Sequence, residues 1–134
     1  MEIIGHGVDL IEIARVEELL RRDDDFLYGW FTSREIEELG SRAGRPEVVG
    51  GRVAAKEAVV KALGTGFTDA VSWQDVEILT NENGAPTVVL SGGARDIARR
   101  MGVARLVLSI SHGNTTAIAS VIAVGYLSTP SPGT

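Results

Sequence analysis

The sequence has no cysteine in its 134 residues. Disulfides, thiol catalysis and cysteine-ligated zinc are thereby excluded together, and a reducing compartment is permitted. Nor is there an excess of base: 13 Lys and Arg stand against 18 Asp and Glu, a net charge of -5. That balance speaks against a general nucleic-acid binder, because phosphate backbones reward a basic surface. No hydrophobic run is long enough to cross a bilayer; the longest, Ala117 to Leu127, is short and contains Ser120 and Gly125. Met1 to His6 lacks the basic segment and apolar core of a signal peptide. Also missing is the Gly-x-x-x-x-Gly-Lys-Ser/Thr loop by which many nucleotide hydrolases hold phosphates. What is left is 44% hydrophobic and 23% charged, an ordinary globular balance in a chain large enough for a real core. We expect a single domain over residues 1–125, a flexible tail over 126–134 with Pro130, Pro132 and Gly133, and a soluble, cytoplasmic protein.

The most informative stretch runs from Arg52 to Gly66. Its Ala, Lys, Glu and Leu residues predict a helix, and Gly64 suits an exit in the left-handed conformation. Glu57 and Lys61 lie four apart and share a face, while Lys56 is turned about 100° from Glu57. Two cations therefore flank one carboxylate. An exposed pair of this kind contributes a few tenths of a kcal/mol and is commonly no more than a solvated face. Two features point further. Ala54, Ala58 and Ala62 continue the face of Glu57 and Lys61 and are small enough for something to approach the helix closely. Gly64-Thr65-Gly66 then leaves backbone amides open to an oxygen-rich ligand. A carboxylate, two ammonium groups and an open turn suit a phosphate with its metal ion. Arg52 is a further phosphate candidate, although a salt bridge to a neighbouring Glu explains it equally well.

The remaining elements follow in order. Ile3 to Asp9 reads as a strand, with Asp9 placed to cap the helix that follows. From Ile11 to Arg22, Ile13, Val16 and Leu20 recur at helical spacing with Leu19 widening the stripe. Arg15 and Arg22 share a face of that helix, either as ordinary solvation or as a docking surface for an acidic partner. Phe26, Trp30 and Phe31 read as core, and Thr32-Ser33-Arg34-Glu35 as a capping box. Pro46 starts a helix through Gly50-Gly51, where two glycines require close packing against another element. Val76 to Ile78 and Pro86 to Leu90 form a hairpin about Asn81-Glu82-Asn83-Gly84, with Trp73 as core or interface near its start. Ser91 to Met101 is a helix with Arg95, Arg99 and Arg100 in solvent, and Leu106 to Ser111 and Ala117 to Val124 pair as strands. His112 ends the first of these; a histidine there is more often a surface hydrogen-bonding group than a catalytic one. The fold class is α+β, a mostly antiparallel sheet packed with helices.

Three segments carry a resemblance. Gly51-Arg52-Val53-Ala54-Ala55-Lys56-Glu57-Ala58, then Lys61-Ala62 and Gly64-Thr65-Gly66, resembles the signature of the 4'-phosphopantetheinyl transferases of the short holo-acyl-carrier-protein synthase type. Gly5-His6-Gly7-Val8-Asp9-Leu10 and Ser109-Ile110-Ser111-His112, followed by Ala117 and Ala119, match in the expected order. Together they span Gly5 to about Val121, and three motifs in order are far more specific than one.

The resemblance implies transfer of phosphopantetheine from coenzyme A to a serine of apo acyl carrier protein in fatty acid biosynthesis. It implies Mg2+ held by Asp9 and Glu57, with Lys61 a second cation at the same oxygens. Gly64, Thr65 and Gly66 would fit the coenzyme backbone, and Lys56 or Arg52 could reach its other phosphates. His112 would line the coenzyme pocket as a phosphate-binding or orienting group. The base that takes the serine proton stays open among Glu57, a water on the metal and His112. The acidic helix of the carrier protein would meet the first helix at Arg15, and more weakly at Arg21 and Arg22. Asp23-Asp24-Asp25 departs from that pattern at the edge of the footprint. A homotrimer with active sites between subunits is implied as well. Two other readings remain at this point: a non-catalytic coenzyme A or carrier-binding module, and a different magnesium-dependent phosphate enzyme.

Overall fold

The computed structural model describes residues 1–23 and 25–127; Asp24 and residues 128–134 of the expected tail lie outside them. Alternation of small and branched residues builds the principal sheet. Strand β1 (Glu2–Glu12) pairs antiparallel with β5 (Thr116–Gly125), which pairs antiparallel with β4 (Val103–His112). Along β5, Ala117, Ala119, Val121 and Ala123 turn inward and are buried, the period-2 pattern of a sheet covered on one face. A separate two-stranded sheet is the expected hairpin, β2 (Val76–Thr80) with β3 (Pro86–Leu90). The Asn81 side chain shapes its turn by accepting from the amides of Asn83 and Ala85. The fold is α+β with antiparallel sheets, as the order of elements predicts.

Helix α4 (Pro46–Ala62) lies across the inner face of the three-stranded sheet, with Pro46 in its first turn. Ala54, Ala55, Ala58, Val59 and Val60 have no exposed surface and join Val76, Ile78, Ala119 and Val121 in the larger core cluster. A smaller cluster gathers Val16 of α1 (Ile13–Arg22), Phe26 of α2 (Phe26–Trp30), Phe31, Val49 and Val53. The glycine pair packs as expected: a Cβ on Gly51 would stand 2.8 Å from the Ile110 side chain. Thr32 caps α3 (Ser33–Leu39) through the expected box with Glu35. Helix α5 (Gly92–Met101) leads into β4.

Two expectations change. The small face of α4 receives a strand, not a ligand. A Cβ on Gly7 would lie 2.0 Å from the Ala58 carbonyl oxygen, and one on Gly5 2.3 Å from that of Ala62. The first strand also runs to Glu12, because its ladder with β5 continues through Glu12 opposite Thr116. The helix therefore starts at Ile13, and Asp9 lies inside the strand where it cannot cap. No helix among the described residues is long and apolar enough to cross a membrane.

Candidate active site

Side chains alternate along a strand, so Asp9 follows Gly5 and Gly7 on the face of β1 turned toward α4. Lys61 reaches back from the last turn of α4. Its Nζ donates to Asp9 Oδ1 at 2.9 Å and to the Val8 carbonyl at 3.1 Å. Glu57, one turn earlier, completes a cleft of about 340 Å³ whose walls include Asp9, Arg15, Trp30, Val53 and Lys61. The Lys61 side chain is 51% exposed and that of Asp9 17% exposed, so the pair faces the opening.

Two carboxylates, Asp9 and Glu57, share the cleft with two cations, Lys61 and Arg15. Desolvation, reinforced by the charge of Asp9, holds the Glu57 carboxyl above its ordinary value; Lys61 and Arg15 pull it down without offsetting this. The hydrogen bond to Asp9, with its charge, raises the Lys61 ammonium. Asp9 and Glu57 bring two carboxylates to one cleft, the hard-oxygen donor type that Mg2+ takes. No group of three or more His, Cys, Asp or Glu among the described residues stands ready to hold a metal.

Lys56 does not belong to this group. The turn of about 100° per residue that separates it from Glu57 carries it into the interior, where it is 0% exposed. Its Nζ donates to Glu35 Oε1 at 2.8 Å, to the Trp73 carbonyl at 3.0 Å and to the Val76 carbonyl. The expectation that Lys56 reaches a coenzyme phosphate is corrected: its donors are spent and its ammonium is sealed off. Desolvation lowers its proton affinity, and Glu35 opposes that effect.

The turn after α4 is likewise more occupied than expected. Gly64 takes φ 76° as the helix exit. Its amide bonds to the Lys61 carbonyl, and those of Thr65 and Gly66 to the Val60 carbonyl. These amides close the helix end and are not free for a ligand. The Thr65 hydroxyl is buried without a hydrogen-bond partner among the described residues.

Arg52 and His112 meet in another cleft, of about 410 Å³, with Arg42, Glu47, Thr80 and Pro86 among its walls. His112 is exposed at the end of β4, with Nδ1 3.4 Å from the Gly113 carbonyl. The Arg52 side chain is only 11% exposed and stands 3.8 Å from Glu38, the neighbouring Glu of the alternative reading. Within one chain, then, Asp9, Glu57 and Lys61 come together, Arg52 and His112 come together, and the two groups line separate clefts. On α1, Arg15 borders the first cleft, Arg21 is exposed, and Arg22 pairs with Glu18 at 3.2 Å.

Sequence reasoning missed two participants. Trp30 forms part of the first cleft and stacks on Trp73 at 4.1 Å between ring centroids, with Phe67 on Trp73 at 3.9 Å. Glu35, read only as part of a cap, is the buried partner of Lys56; nothing in the spacing of the two residues signals that pairing.

Comparison with known proteins fits this geometry. A family model described as the 4'-phosphopantetheinyl transferase superfamily matches residues 5–119, and the chain belongs to that superfamily. Within it, the similarity is to holo-[acyl-carrier-protein] synthases. The sequence is 48% identical over 120 residues to the holo-[acyl-carrier-protein] synthase of Clostridium novyi, covering 90% of this chain and 86% of that one. The crystal structure of the synthase from Neisseria meningitidis superposes with a TM-score of 0.81 at 30% identity, covering 92% of this chain and 99% of that one. That of the synthase from Helicobacter pylori, in complex with coenzyme A, gives 0.77 at 31% identity, covering 89% and 99%.

Proposed function

We propose that this chain transfers the 4'-phosphopantetheine arm of coenzyme A to a serine hydroxyl of an apo acyl carrier protein, releasing adenosine 3',5'-bisphosphate. The observation that carries the reading is the cleft of Asp9, Glu57 and Lys61, assembled from two of the motifs on which the family resemblance rests. The nucleophile belongs to the carrier protein, so no Ser/His/Asp arrangement is required of this chain. Asp9 and Glu57 would hold Mg2+, which when bound supplies positive charge where the leaving phosphate becomes more negative. Lys61, fixed by Asp9, presents its ammonium to the same oxygens. Arg52 and His112 offer a second cationic and hydrogen-bonding surface for the rest of the coenzyme.

The family resemblance extends the proposal to a homotrimer, in which the two clefts would meet between neighbouring copies. Val8 and Leu10 of β1, Val107 of β4 and Ile118 of β5 are exposed large hydrophobics on the principal sheet. Contact between copies there would cover apolar surface, of a kind that marks association sites, and would bring one copy's Arg52 and His112 toward a neighbour's Asp9 cleft. Arg15, at the edge of that cleft, is the leading contact for the acidic helix of the carrier, with Arg21 and Arg22 at the periphery. Cytoplasmic fatty acid biosynthesis is the setting this reaction fits.

The test is release of adenosine 3',5'-bisphosphate from coenzyme A with Mg2+, with and without apo carrier. Release that requires the carrier supports the reading; release at the same rate without it points to a hydrolase.

A further inference from the structure

In the β2–β3 hairpin only one edge of β2 meets β3, and Val76, Ile78 and Thr80 turn backbone groups toward the other edge. An open edge of this kind ordinarily needs protection. Here four charged side chains occupy it in sequence. Lys56 donates to the Val76 carbonyl. Glu35 Oε2 accepts from the Ile78 amide at 3.0 Å. Arg52 Nη1 donates to the Ile78 carbonyl at 3.0 Å. Glu38 accepts from the Thr80 amide at 2.9 and 3.1 Å. Cations meet carbonyls and anions meet amides, as a neighbouring strand would.

The four residues come from two helices. Arg52 and Lys56 are one turn apart on α4, Glu35 and Glu38 one turn apart on α3, and each cation faces an anion. Lys56 and Glu35 are 2.8 Å apart and buried, with side chains 0% and 1% exposed; Arg52 and Glu38 are 3.8 Å apart. A slip of the hairpin by one residue would present the wrong edge of β2 to all four. Arg52 is shared: Nη2 also donates to Thr80 Oγ1 at 3.0 Å, and Arg52, Thr80, Gly84 and Pro86 are walls of the cleft that holds His112.

We propose that Lys56 and Glu35 are positioning residues for that cleft: their buried pair fixes the register of β2–β3 against α4 and thereby sets where Arg52 and the hairpin stand. This rests on the reading that the Arg52 and His112 cleft takes part of coenzyme A. Lys56 thus affects the coenzyme without touching it, and the effect falls on coenzyme affinity more than on turnover.

The test is a paired substitution, Lys56→Met with Glu35→Met, which removes both charges together and keeps apolar bulk. Amide exchange at Ile78 and Thr80 is expected to accelerate by roughly tenfold or more. KM for coenzyme A should rise by roughly tenfold while kcat at saturating coenzyme stays within about twofold. Simple loss of folded protein lowers kcat and leaves KM unchanged, so the split separates positioning from stability. An unchanged KM in the folded double variant overturns the proposal, whether or not the amides exchange faster. Should that variant not fold, Glu35→Gln weakens the buried pair while keeping an oxygen for the Ile78 amide; faster Ile78 exchange with a KM increase of about threefold supports the proposal, and an unchanged KM overturns it. If the parent protein neither binds nor consumes coenzyme A, it is the functional reading that fails, and the amide exchange still reports on the clamp.

Discussion

Lys56, Glu57 and Lys61 stand within six residues on one helix and do three different things. Lys56 is sealed in the core, Glu57 is half-buried over a cleft, and Lys61 bridges to Asp9. Removing Lys56 alone leaves Glu35 charged and buried without its partner. Lys56→Met should therefore cost about 3–5 kcal/mol in urea unfolding, and adding Glu35→Met should recover only part of it, because the Ile78 and Thr32 amides then lose their acceptor. Glu57 has the opposite character. Because its carboxyl is raised in the folded protein, folding favours its neutral form, and this contribution to stability falls as pH rises from the unfolded value through the folded one. Glu57→Gln should leave the metal-free protein at least as stable at pH 7, with the difference vanishing in acid, while transfer falls by about a hundredfold or more. Thermal unfolding across pH and turnover by the same variant check both parts. Glu38 contributes to the acid limb. Burial raises its carboxyl, but hydrogen bonds from Thr80 and the charges of Arg52 and Arg42 outweigh that and hold it below its ordinary value. Its stabilisation is present above the ordinary glutamate range and is lost as pH falls through the depressed value, so Glu38→Gln should flatten the loss of stability in acid. That Glu57 and Lys61 share a face was legible from i, i+4 spacing, and both line one cleft, although the ammonium bonds to Asp9. The fate of Lys56 was not, because Glu35 lies 21 positions away and spacing along one helix cannot show a partner on another.

Among elements, the contact of β1 with α4 governs the site. The strand can lie against the helix backbone only where it has no side chains, and Asp9 follows directly on the same face. A methyl at Gly7, placed 2.0 Å from the Ala58 carbonyl oxygen, forces β1 away. Gly7→Ala should destabilise by roughly 3 kcal/mol or more and reduce transfer further than the loss of folded protein explains, because Asp9 moves with the strand. Urea unfolding beside specific activity per folded molecule checks this. The hairpin, the capping box at Thr32 and the glycine exit at Gly64 were legible, since each is written in adjacent residues. The extension of β1 past Asp9 was not, because its last pairs are made with β5, more than a hundred positions away. The small face of α4 was noticed, but Ala54, Ala58 and Ala62 look the same whether a ligand or a strand approaches them.

At the scale of the whole molecule, the residues assigned to one reaction lie in two clefts, and an apolar sheet face is exposed. The trimer proposed above would cover that face and unite the two clefts between neighbouring copies. Sedimentation should give three copies of the chain. Mixed trimers of Glu57→Gln and His112→Ala should recover part of the activity that each variant lacks alone, because some sites would then unite two intact halves. No recovery would place the whole site in a single chain. The reaction itself is tested most directly by the intact mass of an apo acyl carrier protein incubated with this protein, coenzyme A and Mg2+, beside an EDTA control. The carrier should gain the mass of one phosphopantetheine arm with the metal and none with EDTA. An unchanged carrier mass in the presence of Mg2+, with coenzyme A still bound by the protein, would contradict the assignment.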